Sequence, residues 1–452
     1  MSPSAKSVFE RVEASADFPA MEREILALWA ELDAFHESNR RRKDGPTFVF
    51  YDGPPFATGK PHYGHLLAGT IKDIVPRFWN MRGHYVPRRF GWDCHGLPIE
   101  ALAQSALGLA GTAEILERGV DVFNEQCRSM VDTYVADWRE TVTRMGRWVD
   151  FDDDYKTMDV DYMESVWWVF KQLWDKDRVY KSYRIMPYSC KLATPLSNFE
   201  ANNNYQDVQD PAITVRFRVL DGLEKIDSNR RPDAALYLTA WTTTPWTLPE
   251  NLALCVGSEI EYLVVEELSG GDQVVFAEAR MAAYDPSLAK ALAVDSLAGD
   301  GDGAVGEKYR FVKRISGADL VGLRYEPLFS YYADHPDSFV VLEDDFVTTE
   351  EGTGIVHLAP AYGEDDFRIC RGKGIELVDP LDSEARFCAP VTEFEGLFCK
   401  DADKLIIRKL RQEGKLLAQS TIVHSYPFCE RTNTPLIYRA IEAWYLKVED
   451  LR

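Results

Sequence analysis

The N-terminal part of the chain alternates short apolar runs with segments of helical periodicity. Residues 47–51 form an apolar run that predicts a short buried strand, and residues 66–75 continue as a helix. A second strand is predicted over residues 84–90. Apolar positions recur at three- and four-residue steps over residues 121–145 and 163–174, which predicts two amphipathic helices whose apolar stripes pack in the core. Strands that alternate with helices indicate an α/β fold with a parallel sheet.

From about residue 188 onward, strand-like segments replace the helical pattern. The predicted strands cover residues 212–220, 236–241, 252–256, 261–265 and 273–277. Polar loops rich in glycine and aspartate, at residues 221–233 and 298–306, separate some of these strands from the next elements. This change of pattern predicts a β-rich domain inserted into the α/β fold.

The composition is that of a globular protein with more than one core. The 452 residues are 46% hydrophobic and 27% charged, enough for two or three domains. With 51 basic and 73 acidic residues, the formal charge is −22, so any RNA must bind at local basic patches. Eight scattered cysteines, no signal-peptide pattern and no membrane-length apolar run predict a reduced, cytoplasmic protein that contacts no membrane.

Two loops that follow the predicted strands carry polar side chains. The first, residues 52–65, contains His62 and His65 and opens a helix whose N-terminal N–H groups and dipole suit phosphate. The second, residues 91–100, contains Asp93, whose carboxylate can bind an ammonium group. In a doubly wound sheet, two such loops face each other across the ligand crevice. Taken singly, these residues are also ordinary turn and capping residues.

A further group of polar residues falls in the β-rich segment. Thr242, Thr243 and Thr244 end a predicted strand and supply hydroxyl groups to one small site, although none is an activated nucleophile without a nearby base. His357 and Asp366 lie further along, among glycines that permit tight turns. The preference of threonine for strands also explains the first group, so a structural role stays open beside a binding role.

The first loop carries a resemblance to a known family. His62-Tyr-Gly-His65 resembles the HIGH motif of class I aminoacyl-tRNA synthetases, with Tyr63 in place of isoleucine. Asp52-Gly-Pro-Pro-Phe-Ala-Thr-Gly and Gly91-Trp-Asp-Cys-His-Gly-Leu-Pro together are similar to the isoleucyl members, in the eukaryotic-type branch. The resemblance implies the first half of a Rossmann-like nucleotide-binding fold, with ATP-dependent activation of isoleucine and its transfer to tRNA(Ile).

The same resemblance implies a role for each loop residue. The two histidines contact the ATP phosphates and stabilise the adenylation transition state, Gly64 packs under adenine, and Asp93 holds the amino group of isoleucine. The implied catalytic residues are His62 and His65. The residues implied to bind ATP, together with Mg²⁺, are Phe56, Thr58, His62, Gly64 and His65. The residues implied to bind isoleucine are Gly53, Pro54, Pro55, Asp93 and His95.

The β-rich segment resembles the editing domain with which isoleucyl, valyl and leucyl synthetases hydrolyse mischarged aminoacyl-tRNA. By that resemblance Asp366 binds the substrate ammonium, while the threonines and His357 shape a pocket for the hydrolytic water and the ribose end of tRNA. The implied editing residues are Thr242, Thr243, Thr244, Asn251, His357 and Asp366. The implied domains are a helical extension, 1–46; the first half of the catalytic domain, 47–190; the editing domain, 191–420; and a segment returning to the catalytic domain, 421–452.

The sequence departs from the family at two further points. Some bacterial members hold zinc between two C-x-x-C pairs, whereas Cys190 and Cys429 are single cysteines, so we expect no structural zinc and expect the two thiols to lie close together. No K-M-S-K-S motif or anticodon-binding bundle occurs in these residues, which predicts a fragment with negligible aminoacylation by itself. A monomer is expected. The acidic run at residues 150–154 is expected to be a solvated turn rather than a metal site.

Two other functions stay open. One is a stand-alone editing hydrolase that uses its nucleotide-binding half as a docking surface. The other is a binding module that keeps the fold without catalysis, and the intact His62, His65 and Asp93 argue against it.

Overall fold

The computed structural model describes residues 15–295 and 303–451. The chain forms two compact units, Met1–Val179 and Tyr180–Arg452, and each is described by itself. Residues 1–14 of the predicted helical extension, and residues 298–302 of the predicted loop at 298–306, lie outside the described residues. The finer domain boundaries at residues 46, 190 and 420 stay predictions.

The N-terminal unit is mainly helical in its described part. Its helices are α1 (Phe18–Glu31), α2 (Ala34–Arg40), α3 (Tyr63–Met81), α4 (Leu97–Leu107), α5 (Thr112–Arg118), α6 (Val120–Arg144) and α7 (Val160–Trp174). Its strands are β1 (Arg89–Trp92) and β2 (Asp150–Lys156), which pair in parallel. The helices predicted over residues 66–75, 121–145 and 163–174 are therefore confirmed.

The core of this unit joins the first strand to the long helix α6. Trp92 of β1, Ile99 of α4, and Val131 and Trp138 of α6 are almost completely buried in one cluster. The indole N–H of Trp138 donates a hydrogen bond to the carbonyl oxygen of Gly59 at 3.0 Å. Because Gly59 belongs to the first polar loop, this hydrogen bond anchors the loop to the buried core.

The buried strand predicted over residues 47–51 is wrong. Only Thr47 forms an isolated parallel bridge, with Tyr85, and the side chains of Val49 and Tyr51 are 63% and 93% exposed. Parallel strands are typically buried on both faces and bonded to neighbours, and among the described residues this segment has only that one bridge. An apolar run indicates what a segment would bury, but the pairing partner decides whether it becomes a strand.

The second strand begins later than predicted. Residues 84–88 lie outside the regular strand apart from the bridge at Tyr85, and β1 starts at Arg89. The acidic run at residues 150–154, predicted as a solvated turn, lies in β2. Its Asp154 carboxylate accepts the indole N–H of Trp92 at 2.8 Å. Pairing with β1 therefore extends an acidic segment that its composition alone would place in a turn.

Helix α7 forms where it is predicted, but the expectation that its apolar stripe packs in the core is wrong. None of its residues is buried, and the side chains of Trp167 and Trp168 are 70% and 64% exposed. Helical periodicity identifies which residues share a face. Burial of that face depends on a partner element, which periodicity does not specify.

The C-terminal unit begins within β3 and is rich in strands. Its strands are β3 (Val179–Ser189), β4 (Thr194–Pro195), β5 (Tyr205–Arg218), β6 (Leu236–Thr242), β7 (Ala253–Val256), β8 (Glu261–Glu267), β9 (Gln273–Ala277), β10 (Tyr309–Ser316), β11 (Val340–Glu343), β12 (Ile355–Leu358), β13 (Leu416–Pro427) and β14 (Leu436–Leu446). The five strands predicted in this region are confirmed, with β5 beginning earlier than the pattern indicates.

Short helices connect these strands. They are α8 (Asn198–Ala201), α9 (Leu223–Ile226), α10 (Met281–Tyr284), α11 (Pro286–Asp295), α12 (Gly317–Leu320), α13 (Glu364–Gly372) and α14 (Cys399–Gln412). Helix α9 lies inside the predicted polar loop at residues 221–233, where completely buried Ile226 anchors it to the core. A 3₁₀ helix, Pro245–Glu250, follows β6 and is buried throughout.

Three sheets organise this unit. A six-stranded sheet has the order β10-β8-β9-β6-β5-β13, and three-stranded sheets have the orders β11-β7-β12 and β14-β3-β4. Strand β12 pairs antiparallel with β7, which places His357 opposite Leu254. One large buried cluster includes β6, β7, β12, α13 and α14. The ends of β6 and β12 and the start of α13 therefore meet in a rigid environment.

In the described part of the chain, none of the helices combines the length and apolar character needed to cross a membrane.

Candidate functional site

The two histidines of the first loop lie together at the start of helix α3. His62 is the N-cap residue, and its Nδ1 accepts the N–H of Gly64 at 3.1 Å. His65 Nδ1 in turn accepts the N–H of His62 at 3.3 Å, and the two rings stack with centroids 3.7 Å apart. The i,i+3 spacing thus brings both imidazoles to one side of the helix. In this arrangement the His62 imidazole accepts the N–H of Gly64, one of the helix N-terminal N–H groups that were expected to be open to phosphate.

Gly64 and the surroundings of His65 fix this arrangement. A Cβ on Gly64 would lie 2.9 Å from Cε1 of His62, so only glycine lets that imidazole fold over the helix start. Partial burial, followed by the charges of His62 and Lys72, lowers the pKa of His65. The neutral imidazole is therefore favoured at His65.

The two polar loops are joined through their backbones. Phe56 and Asp93 form a parallel bridge, in which the N–H of Ala57 donates to the Asp93 carbonyl oxygen at 3.2 Å and the N–H of Asp93 donates to Pro55 at 2.9 Å. The Asp93 carboxylate is partly buried, and in residues 15–295 and 303–451 it makes no hydrogen bond or ion pair. It is therefore available to a cationic ligand.

The other predicted residues of these loops surround that bridge. His95 Nε2 lies 3.0 Å from the carbonyl oxygen of Thr157. The carbonyl oxygen of Gly53 accepts a hydrogen bond from Lys72 Nζ at 2.9 Å. Pro54 and Thr58 are partly buried, and Phe56 is 44% exposed. Their assigned roles toward ATP and isoleucine stay predictions.

Sequence reasoning missed an ion cluster beneath the first loop. The Asp52 side chain is 9% exposed and forms ion pairs with Arg147 and with Lys72, whose Nζ lies 2.5 Å from Oδ1. The Arg147 guanidinium also lies 5.3 Å from the centre of the Phe90 ring. The carboxylate thus ties the start of the loop to residue 147 after α6 and to α3. No local pattern links residue 52 to residue 147.

The predicted threonine, histidine and aspartate residues of the C-terminal unit line one cavity of about 380 Å³. This volume lies within the roughly 300–1,000 Å³ typical of small-molecule sites. The predicted residues in its wall are Thr242, Thr243, Thr244, His357 and Asp366, and the wall also includes Trp241, Thr247, Phe346, Thr348, Glu351, Thr353 and Tyr362.

A chain of hydroxyl contacts crosses this cavity and ends at His357. The hydroxyl oxygens of Thr242 and Thr244 are 3.2 Å apart, and those of Thr244 and Thr247 are 3.4 Å apart. Thr247 Oγ1 lies 3.0 Å from His357 Nε2. Thr243 makes no such contact with the part of the chain that is described, so its hydroxyl group can bind a ligand.

Asn251 lies behind His357 rather than in the cavity wall. Its amide oxygen accepts the Tyr325 hydroxyl at 2.8 Å, so its amide nitrogen donates to Ala253 at 2.9 Å and toward His357 Nδ1 at 3.4 Å. With Nδ1 an acceptor, the ring proton lies on Nε2 and donates to Thr247. Asn251 therefore sets the tautomer of His357.

Burial decides the charge of this histidine. Removal from water lowers the pKa of His357 to about 4, so the ring is neutral at pH 7. Because both ring nitrogens already have partners, His357 is poorly placed to take a proton from water. It instead orients Thr247 at the cavity wall.

Asp366 brings the one strongly perturbed carboxylate to this wall. Its Oδ2 accepts the N–H of Ala359 at 2.8 Å. Burial outweighs this hydrogen bond and raises the pKa of Asp366 to about 6. Desolvated carboxylates bind an ammonium group more strongly than exposed ones, because water competes less.

Gly363 creates the space that Asp366 occupies. A Cβ at position 363 would lie 2.5 Å from the carboxyl carbon of Asp366. We expect Gly363→Ala to displace this carboxylate and to lower activity at the cavity about tenfold while the chain stays folded, with ligand hydrolysis and thermal unfolding as the measurements. Gly372→Ala, at the last residue of α13 and with nothing within 4 Å of its Cβ, is the control for this change at the N-cap residue of the same helix. Equal activity of the two variants would contradict this role.

Sequence reasoning missed Thr247, Tyr325 and Ala359 at this site. Thr247 lies five residues after Thr242 in a segment already singled out, and its 3₁₀ helix is what turns it toward His357. Tyr325 and Ala359 carry no signal of their own, because their roles depend on pairing across the fold.

Neither unit supplies a metal cradle in its described residues, where no three His, Cys, Asp or Glu side chains form a group that could hold an ion. Burial opposes ionisation of Cys429, but hydrogen bonds with Thr432 and Ser189 outweigh it and lower the pKa of the thiol. Cys429 therefore contacts the residue that precedes Cys190. The expectations about zinc and about the distance between the two thiols stay predictions.

Comparison with known proteins gives a consistent picture. The family profile described as "tRNA synthetases class I (I, L, M and V)" matches residues 24–452. Cytoplasmic isoleucine–tRNA ligase of Saccharomyces cerevisiae is 50% identical over 441 residues, which are 96% of this chain and 39% of the relative. The cytoplasmic enzyme of Arabidopsis thaliana is 48% identical over 96% of this chain and 37% of the relative.

Bacterial relatives are similarly close. Isoleucine–tRNA ligase of Treponema denticola is 45% identical over 98% of this chain and 41% of the relative. The chain thus spans about two fifths of the length of the curated relatives it matches. A solved structure titled "The crystal structure of GlLeuRS-CP1" aligns with 46% of this chain at 16% identity, with a TM-score of 0.33 that supports no inference.

Proposed function

Because the chain belongs to the class I tRNA synthetases for isoleucine, leucine, methionine and valine, we propose that it is part of an isoleucine–tRNA ligase. In this proposal the N-terminal unit contributes to the ATP-dependent activation of isoleucine and its transfer to tRNA(Ile). The C-terminal unit hydrolyses mischarged valyl-tRNA(Ile). The identity to isoleucine–tRNA ligases from yeast, a plant and a bacterium supports this amino-acid specificity.

In the N-terminal unit, the loop at residues 91–100 binds isoleucine and the loop at residues 52–65 binds ATP. Asp93 binds the ammonium group of isoleucine, beside the backbone of Pro55 to which it is bonded. His62 and His65, stacked at the start of α3, move from their mutual contacts onto the phosphates of ATP. Mg²⁺ would accompany those phosphates as part of the ATP substrate.

In the C-terminal unit, the cavity positions an ester for attack by water. Asp366 binds the ammonium group of the aminoacyl residue, and the Thr243 hydroxyl binds the ribose or the attacking water. Water adds to the ester carbonyl, the ribose oxygen departs with a proton, and the free amino acid leaves. His357 holds Thr247 in place and stays neutral throughout, because its pKa of about 4 is far below pH 7.

The physical need for such a cavity lies in the substrates. Isoleucine and valine differ by one methylene group, which a hydrophobic pocket distinguishes by only about 1–3 kcal/mol, a value already established for this pair of amino acids. A second cavity that admits valine and excludes isoleucine supplies the missing accuracy.

The observation that carries the proposal is the cavity in which the threonine hydroxyls, His357 and Asp366 meet. We expect the purified chain to release valine from valyl-tRNA(Ile) faster than isoleucine from isoleucyl-tRNA(Ile). The measurement is loss of acid-precipitable radiolabelled amino acid over time, with Asp366→Ala as the inactive control. Hydrolysis of both esters at the uncatalysed rate would contradict it and would favour a binding module.

The proposed partners are tRNA(Ile), isoleucine and ATP. A cytoplasmic location accords with the names of the eukaryotic relatives. A monomeric state stays a prediction.

A further inference from the structure

A carboxyl group lies on the buried face of helix α14, among apolar side chains. Asp403 is 6% exposed, and it shares this face with Cys399, Ala402, Ile406 and Leu410. Aspartate is seldom buried without a partner, because its removal from water costs free energy. Asp403 does not line the cavity of about 380 Å³ described above, so the proposed hydrolysis leaves its burial unexplained. We call that cavity the threonine cavity, defined by Thr242, Thr243, Thr244, His357 and Asp366.

The partner of Asp403 is the first N–H group of a distant buried helix. Its Oδ1 accepts the N–H of Trp246 at 2.8 Å, across 157 residues of sequence. Trp246 is the second residue of the 3₁₀ helix Pro245–Glu250, whose N-cap residue Thr244 makes no side-chain bond to the helix start. The next N–H, that of Thr247, already donates to the Thr244 carbonyl oxygen at 3.0 Å. The carboxyl group from α14 therefore satisfies an N–H that the helix itself cannot.

This 3₁₀ helix carries part of the wall of the threonine cavity. Thr247 lines the cavity, and its hydroxyl oxygen lies 3.0 Å from His357 Nε2. The Trp246 ring packs edge-on against Tyr362, another residue of the wall, with ring centroids 4.9 Å apart. The N–H that Asp403 accepts is thus one residue away from the contact between Thr247 and His357.

From these contacts, we propose that Asp403 is a positioning residue for hydrolysis in the threonine cavity. Through the N–H of Trp246 it fixes the 3₁₀ helix, and the helix in turn holds Thr247 against His357. This inference rests on the proposed function, because it concerns the same cavity. Asp403 touches neither the ester nor the water. Its loss leaves a buried N–H without an acceptor, which disfavours the observed position of the helix.

The protonation state of Asp403 gives this role a measurable signature. Burial outweighs the hydrogen bond from Trp246 and the charge of Lys400, and it raises the pKa of Asp403 to about 8. At pH 7 the group is therefore mainly a neutral acid whose oxygen accepts the N–H. Because the folded state binds the proton more tightly than the unfolded state, the stabilisation is present at low pH and is lost as the pH rises through about 8.

The titratable groups around Asp403 come from three elements. They are Cys399, Lys400 and Asp401 on α14, Asp210 on β5, and His424 and Tyr426 on β13. Lys400 Nζ and His424 Nε2 both contact Asp210 Oδ2, at 3.1 and 3.0 Å. Burial raises the pKa values of Cys399 and Tyr426, so both side chains stay neutral near pH 8. The variant His424→Gln is the control for titration of that histidine.

The first test needs no hydrolysis. Hydrogen exchange of the full chain at pH 7, followed by mass spectrometry, reports on a peptide that covers residues 244–251. We expect Asp403→Ala to speed exchange of the Trp246 N–H about tenfold, because its acceptor is gone. Asp401→Ala, at an exposed aspartate of the same helix, should leave the exchange unchanged. Equal exchange in the two variants would overturn the proposal.

The second test is single-turnover hydrolysis of valyl-tRNA(Ile) between pH 6 and pH 9, with the uncatalysed rate subtracted. At pH 7, Asp403→Ala should be about tenfold slower than the original chain. Asp403→Asn keeps an oxygen for the Trp246 N–H and should restore most of the rate. The rate of the original chain should fall above pH 8. The fall should be absent in Asp403→Asn, which has no proton to lose, and should persist in His424→Gln.

Two kinetic results would overturn the proposal. One is an Asp403→Asn variant as slow as the alanine variant, and the other is a fall above pH 8 that persists in Asp403→Asn. Thermal unfolding checks that each variant is folded, and if Asp403→Ala is not, the pH profile of Asp403→Asn decides. If the original chain hydrolyses neither ester, the proposed function fails, whereas hydrogen exchange still decides whether Asp403 fixes the 3₁₀ helix.

Discussion

Replacement of Asp366 by alanine is expected to lower the rate of valyl-tRNA hydrolysis by about a hundredfold. The carboxylate lies in the wall of the threonine cavity, and burial raises its pKa to about 6. Loss of a desolvated, hydrogen-bonded charge that binds an opposite charge costs about 2–5 kcal/mol. The measurement is single-turnover deacylation of valyl-tRNA(Ile) at pH 7.

Two substitutions separate charge from architecture. Asp366→Asn keeps an acceptor for the N–H of Ala359 and removes only the charge, so it should lose nearly as much activity as the alanine variant. Asp365→Asn, at the exposed neighbour that pairs with Arg368, should leave hydrolysis unchanged. If loss of activity instead follows Glu351→Gln, the exposed carboxylate on the same wall binds the ammonium group.

The pH dependence of the same reaction follows from the direction of the shift. Asp366 is ionised above pH 6, so binding of the ammonium group should strengthen as the pH rises through about 6. The raised pKa means that the folded state binds the proton more tightly than the unfolded state. The contribution of Asp366 to stability is therefore present at low pH and is lost as the pH rises toward and through 6. His357, with a pKa of about 4, stays neutral over this range.

Removal of the Asp52 carboxylate should have the largest effect on stability. Asp52 and Arg147 are paired with side chains 9% and 10% exposed, and Lys72 contacts the same carboxylate. Asp52→Ala leaves Arg147 buried without its partner, and breaking a buried pair in this way costs about 3–5 kcal/mol. We expect a loss of that size in the free energy of unfolding of the N-terminal unit in urea.

The design of this experiment follows from the two-unit architecture. Because multi-unit chains need not unfold in one step, the transition of the N-terminal unit should be resolved before a free energy is assigned. Asp44→Ala, at an exposed aspartate outside any ion pair of the described residues, should change the stability little. Asp52→Asn keeps a hydrogen-bond acceptor and should lose less than the alanine variant. Equal stability of Asp52→Ala and Asp44→Ala would contradict the role of the cluster.

Local sequence patterns determined the positions of many helices, strands and loops of this chain. Periodicity placed helices α3, α6 and α7, and short strand-like segments placed the strands from β5 to β9, because both signals depend on residues that are near in sequence. Turn residues also marked the loops at residues 52–65 and 91–100, and the hydroxyl groups at the end of a predicted strand marked the threonine run. These signals are local, since a glycine, a proline or a capping side chain acts within a few residues of itself.

Tertiary structure decided what meets at each site. His357 contacts Thr247 and Asn251 across more than a hundred residues of sequence, and Arg147 contacts Asp52 across 95. These groups meet because of the register of β12 on β7 and the position of residue 147 after α6. No local sequence pattern predicts either feature. The same reason explains the exposed tryptophans of α7 and the missing strand at residues 47–51. The sequence shows which side chains are apolar or charged and so require a contact, whereas only the folded chain determines which residue makes that contact.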